Sequence, residues 1–459
     1  YVTCPQGYER YDEDGTPMVA MVLKALYGMP QAPRCWHDEV ARRLLKHGFK
    51  RSEADPCVST YCEGDKFMGL GLHVDDFMRV ASHPELHDWL HNVVLKGYVC
   101  KDEGLADCFL GVQSEWLNDH TVLLHQERYI EDLGKRFSKF LLKKRVKTPM
   151  DPAFKLSDDD LADKCTPEEW QIYQEIVGAL IYPTTLSAPA LAQPITFVSR
   201  FMSDPCKKAL KEAVRILTYA CQNPRMGYKL NMLRENPPDT GIPITVWSDA
   251  AYANQVGSRS TMGQIFTTPY GLLSWRSKTI PGVPLSSTEA EIIALVFAVR
   301  ELIFLRELFA DLHMASEESP PTKIFEDNTA SIQIASQVGV SDRTKHMQIK
   351  YHFLRHKLEM EVFSLEYLNT KKMLADMLTK PLSGPALYTM LTSITRLEMG
   401  GATSGLVVTQ GDGDEEDSTE SNPDLDNAVA ERVKEIQYGG DWRKMKALRQ
   451  KKLSRQEGA

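Results

Sequence analysis

The stretch TVWSDAAYANQVGSRSTMGQIFTT, residues 245–268, has the pattern of two β-strands joined by a polar turn. A β-like run begins at Ile242 and reaches Trp247, a polar turn covers 257–260, and the strand pattern resumes over 263–267. Asp249 follows two residues after this first run, at a predicted strand end, where an apolar strand favours no charge. The Asp249 carboxylate therefore requires a structural or functional explanation.

The composition of the whole chain sets limits on that answer. A length of 459 residues predicts two or three domains, and 25% charged with 42% apolar residues is ordinary globular composition. A net charge of -8 argues against a uniformly basic nucleic-acid binder, although a local basic channel stays compatible with it. Nine cysteines without a CxxC pair indicate free thiols in a reducing compartment. No apolar run is long enough to predict a membrane span.

Three further segments each place an acid where a simpler explanation competes with a functional one. In SSTEAEIIALVFAVRELIFLRELF, residues 286–309, Glu289 and Glu291 lie early in an apolar helix, where a helix dipole alone favours an acid. In TKIFEDNTASIQIA, residues 322–335, Asp327 ends a strand and either it or Asn328 caps the next helix. In NTKKMLADMLTK, residues 369–380, Asp376 lies on the flank of a predicted helix.

Taken together, these four carboxylates favour a shared metal site. Carboxylates that converge raise each other's pKa and cannot all stay ionised without a compensating cation. Magnesium prefers oxygen ligands of this kind. Two ions about 4 Å apart can activate a water and stabilise a leaving oxygen in phosphodiester cleavage.

The same residues carry a family resemblance. Residues 242–382 contain, in order, SDA, RSTMG, SWRSKT, LSSTEAE, DNTASI, RTKH, YHFLRHKLE and LADMLTKPL, and this series resembles the ribonuclease H domain of copia-type retrotransposon Pol polyproteins. The resemblance implies a mixed five-stranded sheet flanked by helices. It also implies a metal site of four acids: Asp249, Glu291, Asp327 and Asp376. Glu291 is preferred over Glu289 because the helix AEIIALVFAV then fits the family better.

The N-terminal part resembles the reverse transcriptase of the same polyproteins, through PQGYE, LKALYGMPQAPRCW, GFKRSEADPC and HVDDFMRV in that order. The resemblance implies that Asp75 and Asp76, in a tight hairpin, hold magnesium for nucleotidyl transfer. His73 stands where the family has Tyr. The family's first catalytic aspartate precedes the PQGYE region, so a truncated polymerase palm is expected. Residues 165–228 resemble the connecting region.

The expected fold class is therefore α/β and α+β multidomain. The predicted domains are a truncated reverse transcriptase palm at 1–110, a thumb- or connection-like region at 111–240, the ribonuclease H-like domain at 241–382 and a mostly disordered tail at 383–459. Within the second region, 135–147 carries seven Lys or Arg, and two readings stay open. It is either the solvated face of an amphipathic helix or a path for a nucleic-acid duplex, whose phosphates basic residues would neutralise.

The predicted function is that of a Pol fragment with Mg²⁺-dependent ribonuclease H activity on RNA–DNA hybrids. Mn²⁺ is the alternative ion, and the alternative function is that of a degenerate, non-catalytic nucleic-acid-binding relative. The expected partners are an RNA–DNA hybrid, an RNA template with a DNA primer, and other parts of the Gag and Pol polyproteins, with no membrane. The expected location is intracellular, in cytoplasmic virus-like particles and in the nucleus.

Overall fold

A computed structural model describes residues 1–231, 240–316, 319–336 and 348–397. The chain forms two compact units. The first comprises 1–106 with 304–316, and the second comprises 107–303 with the described residues from 319 onward. The three domain boundaries proposed from the sequence remain predictions.

The first unit is built around a four-stranded antiparallel sheet, in the order β3-β4-β5-β6. Its elements are β1 Val2–Thr3, β2 Val19–Ala20, α1 Ala32–Lys46, β3 Lys50–Arg51, β4 Val58–Glu63, β5 Lys66–His73, β6 Asp76–Ala81 and α2 Glu85–Trp89, which continues as a π-helical turn over Leu90–Val94. The apolar spacing of Trp36, Val40 and Leu44 before Gly48 predicts an amphipathic helix, and α1 confirms it, because Val40 and Leu44 are both buried. The β-like runs CVSTYC and FMGLGLHVDDFMRV, separated by EGD, predict a hairpin, which β4 and β5 confirm.

The second unit contains the other elements. They are β7 Cys108–Phe109, β8 Val112–Asn118, β9 Thr121–His125, α3 Glu127–Arg136, α4 Asp158–Ala162, α5 Pro167–Leu186, α6 Ala192–Ser199, α7 Lys207–Gln222, β10 Gly227–Asn231, β11 Thr245–Gln255, β12 Arg259–Thr268, β13 Gly271–Thr279, α8 Ser287–Asp311, β14 Thr322–Glu326, α9 Thr329–Ser336, α10 Gln348–Glu359, β15 Phe363–Tyr367 and α11 Gly384–Thr395. The last residues of α8, from Phe304, belong to the first unit. Short 3-10 helices cover Ser138–Phe140, Pro189–Leu191, Val256–Ser258, Thr370–Lys372 and Leu374–Leu378.

One mixed sheet organises the second unit. Its strand order among the described residues is β15-β14-β11-β12-β13-β10-β9-β8-β7. The pairs β11–β14 and β14–β15 are parallel, and the others are antiparallel. The five strands expected between 242 and 382 are adjacent, but the sheet continues past them to nine strands. The extension begins where Leu230 of β10 pairs with Gly271 of β13.

The largest core of the second unit joins these strands to the helices that precede them. Residues of α5 and α7, including Leu180 and Leu217, form one buried cluster with Ile265, Leu272 and Leu378. This core therefore crosses the boundary that the sequence predicts at 240/241.

Helix α5 contains a proline that the surrounding structure compensates. Pro183 has no N–H to donate to the carbonyl of Ala179, four residues earlier. The Tyr129 hydroxyl donates to that carbonyl instead, at 2.9 Å. The indole N–H of Trp275 in β13 donates to the carbonyl of Thr184 at 2.9 Å, which ties α5 to the sheet.

Two segments differ from the sequence-based expectation. An amphipathic helix over 135–147 is wrong, because α3 ends at Arg136 and only the turn Ser138–Phe140 follows. Beyond it the backbone binds α7, where Leu142 N–H donates to Thr218 Oγ1 and Val146 N–H donates to Gln222 Oε1.

The segment predicted to be disordered begins with an ordered helix. Helix α11 buries Leu387, Leu391 and Ile394 on one face, which explains why it is held in place. The rest of the predicted tail, from 398 onward, lies outside the described residues. Across the part of the chain that the structure describes, no helix combines the length and apolarity that a bilayer span requires.

Candidate active site

Three of the predicted ligands meet. Asp249, Glu291 and Asp327 each offer a carboxylate oxygen, and these oxygens lie within 4.8 Å of one another. Asp249 and Glu291 are each 5% exposed, whereas Asp327 is only partly buried. The cluster therefore has two acids in the protein interior and one that faces outward.

Asp249 lies inside a strand and not at a strand end as the sequence indicates. It is the fifth residue of β11 and pairs with Gly263 of β12. Two residues before it on the same face is Trp247, whose ring centroid lies 5.5 Å from that of Phe325 in β14. Strands β11 and β14 run in parallel with Trp247 paired to Phe325, so Asp249 and Asp327, each two residues further along, reach the same region.

The absence of a side chain at Gly263 brings the fourth acid close. A Cβ at this position would lie 2.8 Å from the Ala375 carbonyl oxygen, Leu378 Cβ and Thr379 Cγ2. The turn Leu374–Leu378 therefore packs directly on the strand beside Asp249. This turn and Thr370–Lys372 are separate 3-10 helices, so the single helix predicted from 370 is wrong: the chain breaks at Met373, with φ -71° and ψ 99°.

Asp376 lies beside Asp249 and is also ion-paired. It is 5% exposed, and Lys380 Nζ lies 2.9 Å from its Oδ1. Burial raises the pKa of Asp376, while the Lys380 charge and a hydrogen bond with Asp249 oppose this rise. A cation at Asp376 would therefore compete with Lys380, which distinguishes this acid from the other three.

Thr379 fixes the Asp249 carboxylate and was missed by sequence reasoning. Its side chain is fully buried, and its hydroxyl donates to Asp249 Oδ2 at 2.5 Å, with the carbonyl of Asp376 as a second acceptor at 3.2 Å. The sequence signal was available, because Thr379 follows Asp376 by three residues in the quoted stretch. A threonine in a terminal turn is so common that the pattern alone does not single it out.

The two candidate glutamates of α8 have different surroundings. The Glu289 carboxylate accepts a hydrogen bond from the Leu285 N–H at 2.8 Å, and its own N–H donates to Ser286 Oγ at 3.1 Å. These contacts are those of a helix N-terminal cap. The Glu291 carboxylate points into the cluster, and its Oε2 is buried without a hydrogen-bond partner among the described residues.

Burial and mutual repulsion perturb the acids of the cluster. Burial, followed by the negative charge of Asp376, raises the pKa of Asp249 to about 7, although the Thr379 hydrogen bond opposes the rise. Burial, followed by the charges of Glu326 and Asp249, raises the pKa of Glu291 well above its ordinary value. Each shift reflects the cost of burying a carboxylate charge close to other carboxylates.

Glu326 is a further buried acid that the sequence analysis did not select. It is fully buried at the end of β14, and its Oε1 accepts a hydrogen bond from the Asn328 N–H at 3.2 Å. Burial raises its pKa well above the ordinary range. The available signal was its position in TKIFE, where the alternating residues Thr322, Ile324 and Glu326 are buried.

Asn328 resolves the capping alternative. Its Oδ1 accepts hydrogen bonds from the N–H groups of Ala330 and Ser331, at 3.0 and 3.1 Å. The cap of α9 is therefore Asn328, and the Asp327 carboxylate is left to accept a hydrogen bond from the Thr370 hydroxyl at 2.7 Å.

Asp75 and Asp76 lie apart from any comparable cluster. They follow the turn residue Val74, with φ +56°, in the hairpin of β5 and β6, and both are exposed. Within the described residues, the only group of three or more potential ligands is the one at Asp249. The role of Asp75 and Asp76 stays a prediction.

The donors of the cluster fit a hard divalent cation. All three are carboxylates, without histidine or cysteine, which suits Mg²⁺ or Mn²⁺ and not zinc. The unpartnered Glu291 Oε2 is a free acceptor in the interior, and the partly exposed Asp327 leaves a side of the cluster open.

Comparisons with known proteins identify relatives of this chain. The reverse transcriptase (RNA-dependent DNA polymerase) family matches residues 1–152. A retrovirus-related Pol polyprotein from transposon RE1 of Arabidopsis thaliana is 31% identical over 86% of this chain and 26% of its own length. A transposon Ty5-1 protein of Saccharomyces cerevisiae is 29% identical over 66% of this chain and 95% of its own length.

Among solved structures, a ribonuclease H1 isolated from compost is 17% identical, covers 32% of this chain and 98% of its own, and has a TM-score of 0.25. The chain spans about a quarter of the length of the Arabidopsis polyprotein. Three relatives that match more than four fifths of this chain's length are retrovirus-related Pol polyproteins from transposons. This chain belongs to the Pol polyproteins of copia-type retrotransposons.

Proposed function

We propose that the second unit is a ribonuclease H that hydrolyses the RNA strand of RNA–DNA hybrids with Mg²⁺, or alternatively Mn²⁺, as cofactor. The observation that carries the proposal is the meeting of Asp249, Glu291 and Asp327 within 4.8 Å, in a chain from a reverse-transcribing family. A hybrid is the product that copying RNA into DNA must leave, so such a polyprotein requires an activity that removes the RNA.

The residues would divide the work as follows. Asp249, Glu291 and Asp327 would hold the cation, and Asp376 would join them from its ion pair with Lys380. When bound, Mg²⁺ ions supply activation of a water and stabilisation of the leaving oxygen. The hydroxyl of Thr379 would hold the Asp249 carboxylate in one orientation, so that little reorganisation is needed when the substrate binds.

For the first unit we propose a part in RNA-directed DNA synthesis by the larger polyprotein, with Asp75 and Asp76 as metal ligands. The support is the family match over 1–152 and the exposed hairpin that presents both acids. An RNA template and a DNA primer would be the partners of this unit.

The test is hydrolysis of an end-labelled RNA–DNA hybrid by the full chain, with and without Mg²⁺. We expect Mg²⁺-dependent cleavage of the RNA strand only. Asp249→Asn should abolish cleavage, because an amide is a poorer ligand than a carboxylate, and should leave hybrid binding nearly unchanged, because phosphate contacts elsewhere carry the affinity.

Two outcomes would count against the proposal. Undiminished cleavage by purified Asp249→Asn would refute the assignment of the site. Absence of cleavage by the unmodified chain, together with retained hybrid binding, would favour the alternative of a non-catalytic nucleic-acid-binding relative.

A further inference from the structure

Two arginines meet at the far end of the strands that carry the carboxylate cluster. Arg200, directly after α6, donates from its guanidinium to Gln255 Oε1 and, at 2.9 Å, to the Val256 carbonyl. Arg259 begins β12 and pairs with Gln255 across the hairpin. The Arg200 side chain is thus held by Gln255 and Val256 at the turn that Arg259 follows.

Alternation along β12 places Arg259 on the same sheet face as Asp249. Residues 259, 261 and 263 of this strand point to one side, and Gly263 is the partner of Asp249. Four residues of strand separate Gly263 from Arg259, which is about 13 Å. Helix α6 packs on this face too, since it contacts β13 and the turn Leu374–Leu378 that covers Gly263.

The two arginines have no acid to neutralise them. Neither takes part in an ion pair within the described part of the chain, although Arg276 and Arg225, elsewhere in the second unit, each pair with glutamate. Arg200 is half-buried and Arg259 is exposed. Burial, followed by the positive charge of Arg259, lowers the pKa of Arg200. The two positive charges repel each other, and an anion bound between them would offset that repulsion.

We propose that Arg200 and Arg259 form a phosphate-binding subsite that holds the backbone of the duplex whose RNA is cleaved at Asp249. The inference rests on the proposed ribonuclease function. A guanidinium presents several N–H donors in a fixed plane, which matches a phosphate. At ~3.4 Å of duplex axis per nucleotide, about 13 Å along the sheet reaches a phosphate no more than about four nucleotides from the cleaved one.

The subsite extends the substrate surface outside the region that resembles ribonuclease H. Arg200 belongs to the connecting region, within VSRFMSDP, and the sequence analysis assigned it no role. Hybrid binding should therefore depend on a residue that lies more than 40 positions before the first ribonuclease carboxylate.

The experiment measures binding of a fluorescently labelled RNA–DNA hybrid by the full chain in EDTA, over a series of KCl concentrations. Arg259→Gln and the double variant with Arg200→Gln should weaken binding several-fold. Each lost phosphate contact should reduce the slope of log affinity against log salt by about 0.9. Arg259→Lys should restore most of the slope, because it restores the charge.

Arg276→Gln is the matched control. Arg276 lies on β13 and pairs across the sheet with Gln264, whose side chain donates to the Ala294 carbonyl of α8. Arg276 therefore faces the side of the sheet opposite to Arg259, where it forms an ion pair with Glu301 at 3.4 Å. An equal change of slope in Arg276→Gln and Arg259→Gln would overturn the subsite. A fall in thermal stability of Arg200→Gln with an unchanged slope would instead assign that residue to fastening the hairpin, and would also overturn it.

Uncharged methylphosphonate linkages in the hybrid identify which strand, and which phosphate on it, the subsite contacts. A single methylphosphonate is moved along the RNA strand and then along the DNA strand, and the unmodified chain should lose affinity at one or two adjacent positions. Arg259→Gln should no longer distinguish those positions. A flat scan, or equal competition by inorganic phosphate at matched ionic strength, would refute a backbone subsite.

The binding assay separates this inference from the proposed function. If the arginine variants reduce the salt slope and the unmodified chain shows no Mg²⁺-dependent cleavage, the result supports the subsite and refutes the proposed hydrolysis. Mg²⁺-dependent cleavage, with a salt slope that is the same in the arginine variants and the unmodified chain, would support the hydrolysis and refute the subsite.

Discussion

Glu289 and Glu291 differ by two positions, and the sequence offers both as ligands. The surroundings separate them, because Glu289 accepts a hydrogen bond from the backbone at the start of α8 and Glu291 has a buried oxygen without a partner in the described residues. A helix rotates about 200° over two residues, so neighbours this close cannot serve the same site.

We therefore expect Glu291→Gln to reduce cleavage of a hybrid on the order of a hundredfold or more, as for other charge-stabilising groups. Glu289→Gln should instead lower thermal stability slightly, since a weakened cap costs about 1 kcal/mol, and should leave the rate per folded molecule nearly unchanged. Single-turnover rates and melting temperatures of both variants give the comparison. A larger rate loss in Glu289→Gln would show that the wrong glutamate was assigned.

The raised pKa of Asp249 makes the metal-free protein sensitive to pH. With a folded-state pKa of about 7 and an unfolded value near 3.9, the folded state binds more protons between these values. This contribution to stability is complete below pH ~4 and is lost as pH rises through about 7.

Urea unfolding in EDTA should thus show a lower free energy of unfolding at pH 8 than at pH 5. Asp249→Asn should reduce the difference by on the order of 1–3 kcal/mol, less than the ~4 kcal/mol of a three-unit shift because the neighbouring acids readjust. Addition of Mg²⁺ should narrow the difference for the unmodified chain. A pH dependence identical in the two proteins would contradict the burial of an uncompensated Asp249.

At the level of elements, the alternating pattern of 245–268 predicted the hairpin of β11 and β12 correctly, and the apolar run after 286 predicted α8. The turn that carries Asp376 was assigned wrongly, because Met373, Leu374, Met377 and Leu378 have helical spacing. Met373, Met377 and Leu378 are buried for a different reason: the turn Leu374–Leu378 packs on Gly263, a contact between residues more than 100 positions apart. Local periodicity contains no information about that contact.

Gly263→Ala tests the same contact. The added methyl group would meet the carbonyl of Ala375 at 2.8 Å, and a backbone atom cannot move aside as a side-chain end can. We expect a loss of about 1–3 kcal/mol in stability and a loss of cleavage, because Asp376 and Thr379 shift away from Asp249.

Gly178→Ala is the control for that substitution. Gly178 lies exposed in α5 with nothing within 4 Å of an added Cβ, and alanine there should stabilise the helix by about 0.5–1 kcal/mol. Chemical denaturation and hybrid cleavage of the two variants would show opposite signs in stability. Equal stability for the two would mean that the turn has room to move.

For the whole molecule, the sequence suggested that the ribonuclease region begins at 241 as a five-stranded domain. The sheet and the main core are continuous across position 240/241. Leu230 pairs with Gly271, and the buried face of α5 and α7 belongs to the same hydrophobic cluster as residues of β12 and β13. Motif matching identified the residues that carry chemistry. It could not identify which preceding helices cover them, because coverage depends on contacts between distant residues.

A fragment of residues 241–397 should accordingly be less stable than the full chain. It would expose Ile265, Leu272 and Leu378 and leave β13 as an unpaired sheet edge, which favours aggregation. A fragment of 107–397, which keeps all nine strands, is the control. Equal melting temperatures and cleavage rates for the two fragments would show that the five strands fold independently.

The ring pair of Trp247 and Phe325 gives the site an optical reporter. Trp247 is two residues before Asp249 and Phe325 is two residues before Asp327, so a change of charge at either acid occurs near the Trp247 indole. Indole emission responds to nearby charge, and titration with Mg²⁺ can therefore be followed in the unlabelled chain. The chain has seven tryptophans, and the signal that disappears in Trp247→Phe is the one that belongs to the site.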